Sequence, residues 1–109
     1  MYLNMYKISL ITGDGIGPEL SESAISVLNT ISDKFDFKFD LTKLSAGDKA
    51  LEQTGKALPD DTVETIKRSD VCLKAPVGES AADVIVVLRR ILDLYANIRP
   101  AKSYPHMPA

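Results

Sequence analysis

The feature that most constrains this chain is a strand-like segment that runs directly into a glycine-rich turn and then a helix. Residues 6–12 alternate in polarity and are rich in residues that favour strands. Three glycines follow within residues 13–17, and glycine permits backbone conformations that other residues avoid. Pro18 suits the first position of a helix, which an apolar stripe extends to about Lys34. The stripe consists of Leu20, Ala24, Val27, Leu28 and Ile31.

The middle of the chain predicts a second strand and two short helices. Polarity alternates over residues 35–44, which indicates a half-buried strand. Residues 46–53 predict a short helix that Gly55 closes. Asp60 or Asp61 suits the cap of a further helix.

The last third predicts one more strand and one more helix. Residues 70–74 indicate a short buried strand, and Ser80 suits the cap of a helix that runs to Asp93. An extended stretch follows over residues 95–103. Because helices separate the strands throughout, we expect an α/β fold with a parallel sheet.

Length and charge exclude several classes of protein. A chain of 109 residues fits one small domain or one lobe of a larger protein. The formal net charge of −2 gives no basic surface for nucleic acid or an anionic membrane. The longest apolar run, residues 84–88, is far shorter than the roughly 20 residues of a membrane span.

The cysteine content and the first residues indicate a cytoplasmic protein. Cys72 is the only cysteine, which excludes an internal disulfide and suits a reducing compartment. Its apolar neighbours favour a small core residue over a reactive thiol. The N-terminal stretch has one lysine in its first eight residues and then reaches the glycine turn, so it does not resemble a signal peptide.

The glycine turn does not match the common dinucleotide fingerprint. That fingerprint requires Gly-x-Gly-x-x-Gly, and here the third glycine, Gly17, comes one residue early. The acidic residue expected after the second strand is also missing, since Lys43 and Ser45 stand there. From the residues alone, a generic glycine-rich turn remains open, and it is favoured over the classical dinucleotide fold.

Longer motifs carry a specific resemblance. The string Gly-Asp-Gly-Ile-Gly-Pro-Glu at residues 13–19 and the arginine-containing segment 88–100 resemble the N-terminal part of the isocitrate/isopropylmalate dehydrogenase family. Segments 46–50, 55–59 and 75–78 fall in the family's order between them. The resemblance covers about residues 7–105 and implies part of that family's three-layer α/β fold, with an incomplete sheet and flanking helices.

The resemblance also implies a domain organisation. Residues 1–99 would be the N-terminal part of the large, cofactor-side domain, and residues 100–109 would begin the crossover toward a second domain. The family's metal-binding aspartates, base lysine and proton-donating tyrosine lie beyond the matched segments, so we expect no catalytic residue within this chain and no activity from it alone. A second reading is a non-catalytic module that binds a small molecule.

The resemblance assigns substrate-binding roles to Arg89 and Arg99. Family substrates are malate derivatives with two or three carboxylates, and the planar fork of arginine binds carboxylates with paired hydrogen bonds. Ile85 and Val86 lie about one helical turn before Arg89 and offer an apolar surface that suits an isopropyl group. We therefore expect 3-isopropylmalate as the substrate, with isocitrate, homoisocitrate, malate or tartrate as alternatives.

The remaining expectations concern cofactors and partners. The loop after the third strand matches the family's cofactor side, and it consists of Ala75, Pro76, Val77 and Gly78. The resemblance implies NAD and a Mg or Mn ion whose ligands lie outside this chain. It further implies a cytoplasmic homodimeric oxidoreductase of leucine biosynthesis that binds a small dicarboxylate and neither nucleic acid nor membrane.

Overall fold

The computed structural model describes residues 5–108, which form three strands and four helices. The elements in chain order are β1 Met5–Ile11, α1 Gly17–Phe35, β2 Lys38–Leu44, α2 Asp48–Thr54, α3 Asp60–Lys67, β3 Val71–Lys74 and α4 Ala81–Ile91. Residues 1–4 and 109 lie outside the described range. The first four residues of the expected segment 1–99 and the last residue of the expected segment 100–109 are therefore not described. The same holds for the start of the N-terminal stretch that does not resemble a signal peptide. No helix among the described residues is long and apolar enough to cross a membrane.

The sheet is parallel, with the order β2-β1-β3. The first strand, β1, lies in the centre, and Ile8 pairs with Leu41 of β2 on one side and Val71 of β3 on the other. At least one helix lies between successive strands along the chain, as parallel connections usually require. The predicted α/β class with a parallel sheet is confirmed.

Helices cover both faces of the sheet. Leu10 and Ile11 are adjacent in β1 and therefore point to opposite faces. Both are almost completely buried, at 1% and 0% exposure. Ile11 belongs to the core cluster on the side of α2, α3 and α4, and its buried partners are Ala46, Ala57, Ile66, Val84 and Leu88. Leu10 lines a cleft with Ser21 and Ala24 of α1 on the other face. The arrangement is a helix–sheet–helix sandwich.

The first helix buries only part of the predicted stripe, since Ala24 and Leu28 are half-buried and none of the five residues is fully buried. Gly17 and Ser21 are its buried residues, and the Ser21 hydroxyl donates to the Gly17 carbonyl. Leu20, Val27 and Ile31 remain 46%, 57% and 38% exposed. Small residues let the start of α1 approach the sheet closely, and this turns the larger apolar side chains onto the flank of the helix.

The prediction of a buried third strand is wrong for the described residues. Val71 and Leu73 are 56% and 38% exposed, because β3 pairs only with β1 and forms an edge of the sheet. The chain exposes 8027 Å² in all. A compact monomer of 11.9 kDa would expose roughly 5,900 Å². The edge at β3 and the flank of α1 contribute apolar surface to this excess.

Two elements end earlier or begin later than predicted, because acidic residues adopt left-handed conformations. Asp36 has a φ of 54° and ends α1, so β2 begins at Lys38 instead of residue 35. Asp93 has a φ of 52° and follows α4, which ends at Ile91 instead of Asp93. The N–H groups of Asp93 and Leu94 donate to the carbonyls of Arg90 and Arg89, which is a Schellman motif without glycine.

The predicted helix caps are only partly correct. Gly55 closes α2 with a φ of 82°, as predicted. Pro59 occupies the cap position of α3, so neither Asp60 nor Asp61 caps it. Ser80 does occupy the cap position of α4, but its side chain makes no capping hydrogen bond. The reason is that the Ser80 hydroxyl donates to a carboxylate of another element, described below.

The chain beyond α4 lacks regular secondary structure, which agrees with the predicted extended stretch, and it is highly exposed. Residues 94–104 have no regular secondary structure. Tyr95 is fully exposed and Ile98 is 85% exposed. A boundary at residues 99 and 100 is compatible with this change from packed to extended chain and stays a prediction.

Candidate functional site

Three loops meet at the edge of the sheet where the parallel strands end. They comprise residues 12–16 after β1, residues 45–47 after β2 and residues 75–80 after β3. In open parallel sheets, ligands bind beside the carboxyl ends of the strands. The loop predicted to face the cofactor is one of the three, so this edge is the candidate functional site.

The glycine turn packs against the loop that follows β3. A Cβ atom on Gly13 would overlap the carbonyl of Pro76, and one on Gly17 would overlap the carbonyl of Thr12. The N–H of Asp14 donates to the same Pro76 carbonyl over 2.9 Å. Gly15, by contrast, has nothing within 4 Å of a built Cβ. Two of the three glycines therefore serve close packing within the protein instead of forming a ligand cradle.

The Asp14 carboxylate ties the three loops together. Its Oδ2 accepts the N–H of Asp48 over 2.8 Å and the N–H of Gly78 over 3.0 Å. Its Oδ1 accepts the N–H of Lys49 over 3.2 Å. A Cβ on Gly47 would overlap this carboxylate. Desolvation raises the Asp14 pKa, but the three backbone donors together outweigh it, so the pKa lies below its ordinary value.

A second carboxylate, Asp48, holds the start of α4. It accepts the side-chain hydroxyl of Ser80 over 2.6 Å and the N–H groups of Ser80 and Glu79 over 2.9 and 3.0 Å. The Ser80 hydroxyl and these backbone donors lower the pKa of Asp48. A Cβ on Gly78 would overlap Asp48. Through these hydrogen bonds, Asp14 connects the end of β1 to α2, and Asp48 connects α2 to the start of α4.

Sequence reasoning missed the roles of both aspartates. Asp14 and Asp48 each follow a glycine within a segment matched to the family, Gly13 and Gly47 respectively. An acidic residue in a glycine turn is the available signal, because its side chain can accept nearby N–H groups. The partners themselves, such as Gly78, lie too far along the chain to be read from a local pattern.

The predicted cofactor loop offers few free backbone donors. The N–H of Ala75 donates to the Ile11 carbonyl, and that of Gly78 donates to Asp14. Pro76 has no N–H. Within residues 5–108, Val77 alone among the four has a backbone N–H without a hydrogen-bond partner. The loop can therefore present the exposed surfaces of Pro76 and Gly78 to a ligand, but hardly a ring of backbone donors.

The fourth helix brings three of the predicted substrate residues together. Its buried residues are Val84 and Leu88, which face the core. Ile85 is half-buried, Val86 is 46% exposed, and Arg89 is exposed in the last turn. Spacings of three and four residues place Ile85 and Val86 beside Arg89 on the helix surface.

The second predicted arginine lies in the extended stretch after α4. Arg99 is exposed, and it makes neither a hydrogen bond nor a salt bridge with any other part of the described chain. Its convergence with Arg89 on one ligand stays a prediction.

The described residues do not form a divalent-metal site. No group of three or more His, Cys, Asp or Glu side chains among them is arranged to hold a metal ion. Asp14 and Asp48 do not fit the role, because their carboxylate oxygens already accept N–H and hydroxyl donors. Cys72 is half-buried against the core cluster, and burial raises the pKa of its thiol, which supports the core interpretation.

Comparisons with known proteins identify the family. The model of the isocitrate/isopropylmalate dehydrogenase family matches residues 7–109, and the chain belongs to this family. It is 47% identical over 102 residues to the 3-isopropylmalate dehydrogenase of Saccharolobus solfataricus, covering 94% of this chain and 30% of that protein. For the enzyme of the same name from Archaeoglobus fulgidus the identity is 52% over 99 residues, covering 91% of this chain and 29% of that protein.

Solved structures give the same assignment. The crystal structure of isocitrate dehydrogenase from Methylococcus capsulatus matches with a TM-score of 0.67 and 38% identity, covering 84% of this chain and 27% of that one. The expected family and its type of fold are therefore confirmed. The chain spans about 30% of the length of the curated relatives.

The packing of the glycine turn predicts unequal costs for two neighbouring substitutions. Gly13 and Gly15 have similar left-handed φ values of 72° and 57°. Gly15→Ala should cost about 1–2 kcal/mol for the left-handed backbone alone. Gly13→Ala should cost about 1–3 kcal/mol more, because its Cβ meets the Pro76 backbone. Urea unfolding of the chain measures both, and equal losses would contradict the packing described.

The lowered pKa values predict acid sensitivity. Folding lowers the pKa of Asp14 and Asp48 below the ordinary 3.8, so the unfolded chain binds protons first as pH falls. Their stabilising contribution is full above the ordinary value and is lost as pH falls through the lower folded values. Urea midpoints measured between about pH 6 and pH 2.5 should fall less steeply in Asp14→Asn and Asp48→Asn than in the parent. Asp33→Asn controls for the loss of one charge, and unchanged steepness in both test variants would exclude this contribution.

Proposed function

We propose that this chain is the N-terminal segment of a longer enzyme that oxidises and decarboxylates 3-isopropylmalate with NAD, a step of leucine biosynthesis. The family assignment supports a dehydrogenase, and the relatives named above carry the name 3-isopropylmalate dehydrogenase. The observation that carries the substrate proposal is the juxtaposition of Ile85, Val86 and Arg89 on one side of α4.

This juxtaposition suits a substrate that is anionic at one end and branched and apolar at the other. Arg89 would bind a carboxylate of the malate core, and Arg99 would join it from the extended segment. Ile85 and Val86 would cover the isopropyl group, whose burial is worth on the order of 2 kcal/mol. A polar group at the same place would lose its water without gaining a partner.

Isocitrate is the second candidate substrate, since an isocitrate dehydrogenase is among the structural relatives. Its additional carboxylate would need a cation or a hydrogen-bond donor beside Arg89. Ile85 provides neither, and Asp83 is an exposed carboxylate in the first turn of the same helix that would repel it. The side chains on this part of α4 therefore favour the isopropyl substituent.

For the cofactor, we propose that the exposed surfaces of Pro76 and Gly78 form part of the wall against NAD. NAD bound there would supply the hydride acceptor for oxidation of the substrate's hydroxyl-bearing carbon. The Mg or Mn ion that we expect from the family would be held by residues outside this segment, and the residues described here contribute no ligand set for it.

The apolar surface of the chain favours a segment of a larger enzyme over an independent binding module. Val71 on the edge strand and Val27 on α1 are both more than half exposed. Faces of this kind are normally covered by further structure. We propose that additional parts of the longer chain pack there, and that the complete enzyme is a cytoplasmic homodimer.

The full-length protein should prefer isopropylmalate over isocitrate. Burial of the branched substituent against Ile85 and Val86 should give kcat/KM at least tenfold higher for isopropylmalate, since about 1.4 kcal/mol corresponds to a factor of ten. Initial rates of NADH formation with each substrate, at saturating NAD and Mg²⁺, measure the ratio. A preference for isocitrate would remove the proposed role of the apolar wall, and the absence of turnover with either would remove the proposed activity.

Loss of either proposed substrate arginine should weaken substrate binding far more than loss of their neighbour. In the full-length protein, Arg89→Ala and Arg99→Ala should each cost about 2–4 kcal/mol in binding, which corresponds to a roughly 30- to 1,000-fold rise in KM for isopropylmalate. Arg90→Ala is the matched control, because Arg90 is exposed on the adjacent side of α4. Equal kinetics in the Arg89, Arg99 and Arg90 variants would refute the assignment.

A further inference from the structure

We propose that Asp14 is a positioning residue that holds the 75–78 loop in the conformation that binds the cofactor. This inference rests on the proposed function, because it takes that loop as the cofactor side. Asp14 lies on the glycine turn, and its carboxylate reaches both α2 and the loop after β3. Its role is to shape the site through another segment, without touching the reacting atoms.

The hydrogen bonds of Asp14 bracket the exposed part of the loop. Its backbone N–H donates to the carbonyl of Pro76 over 2.9 Å, and its Oδ2 accepts the N–H of Gly78 over 3.0 Å. The two contacts lie one residue before and one residue after Val77. Pro76 and Gly78 are the exposed residues of the four-residue loop, so the surface proposed to face the cofactor is the part that Asp14 holds.

Other contacts do not replace this side chain. Ala75 is tied to the end of β1 through the Ile11 carbonyl, which anchors only the start of the loop. The carbonyl of Gly78 accepts the N–H of Ala81, a local bond within the same connection. Without the Asp14 carboxylate, the N–H of Gly78 has no remaining partner in another element within the described part of the chain. The Gly78 end of the loop would then be held only through its neighbours, by the hydrogen bonds of Asp48 to Glu79 and Ser80 and by the packing of Val77 against the core cluster.

Asp48 provides an internal comparison, because its carboxylate holds the start of the helix that carries the proposed substrate residues. It holds the N–H groups of Glu79 and Ser80 at the start of α4, the helix that carries Ile85 and Arg89. Loss of Asp48 should therefore disturb substrate binding more than cofactor binding. Loss of Asp14 should disturb cofactor binding first, since its carboxylate contacts the loop directly.

The test uses the full-length protein and two independent readouts. Asp14→Ala removes the acceptor of three N–H groups, and loss of the hydrogen bond that holds Gly78 should raise the Kd for NAD, measured by calorimetry, about tenfold or more. Deuterium exchange of a peptide covering residues 75–80 should be faster, while a peptide covering β1 should be unchanged. Asp14→Asn should restore most of both properties, because one amide oxygen can still accept the N–H groups of Gly78 and Asp48.

The controls separate positioning from general destabilisation. Asp48→Ala should raise the KM for isopropylmalate by a larger factor than the Kd for NAD. Asp33→Asn, which removes an exposed carboxylate of α1 without a hydrogen-bond partner in the described range, should leave both readouts at parent values. If Asp14→Ala does not fold, Asp14→Asn takes its place, with the smaller expected changes of two- to fivefold in Kd and a measurable increase in exchange.

Two results would overturn the proposal. One is a folded Asp14→Ala variant that binds NAD as tightly as the parent or, where Asp14→Ala does not fold, an Asp14→Asn variant whose Kd for NAD equals that of the parent. The other is a loss of NAD affinity while exchange of residues 75–80 stays unchanged, which would mean that Asp14 acts by another route. Failure of the proposed function can be distinguished from failure of this inference. It would appear in the parent protein, before any variant is compared, as no turnover of either isopropylmalate or isocitrate.

Discussion

Backbone N–H groups from the start of α2 and from the loop after β3 converge on the carboxylate of Asp14, and the geometry of the candidate site depends on this convergence. Three donors satisfy the charge of Asp14, and in return the carboxylate satisfies the first N–H groups of α2, which have no partner within that helix. Gly47 and Gly78 complete the arrangement, because side chains at either position would occupy the space of the two carboxylates. Glycine at these two positions is therefore required for close packing around the carboxylates.

The fourth helix connects the stability of the domain with its proposed chemistry. Val84 and Leu88 fill the core beneath the sheet, and the residues between and beside them carry the proposed substrate surface. Burial of one side of the helix fixes the direction of the other, so Arg89 is oriented by packing that has no contact with a ligand. Asp48 adds a polar constraint at the start of the same helix.

The exposed apolar surface of the chain is typical of one part of a larger protein. Parallel sheets are normally buried on both faces, and here the edge strand β3 has apolar side chains exposed. The flank of α1 beside Leu20 has the same character. Both regions suit further packing in a protein about three times as long, which is the size of the curated relatives.

The sequence by itself determined the kinds of elements, their order and the family. Periodicities of two and 3.6 residues depend on neighbouring positions, so strand and helix assignments, the parallel class and the closing role of Gly55 followed from local pattern. Left-handed aspartates at positions 36 and 93 moved two element boundaries, since nothing in the apolar pattern marks them. The motif strings between residues 13 and 100 were sufficient for the family because several occur in the same order.

Only the tertiary structure decided which face each element buries and what the acidic loop residues do. The apolar stripe of α1 was visible in the sequence, but contact with the sheet selected Gly17 and Ser21 because they allow closer approach. The partners of Asp14 lie 34 to 64 residues away along the chain. Hydrogen bonds over such separations depend on where the strands end in space, and no local pattern of residues encodes that distance.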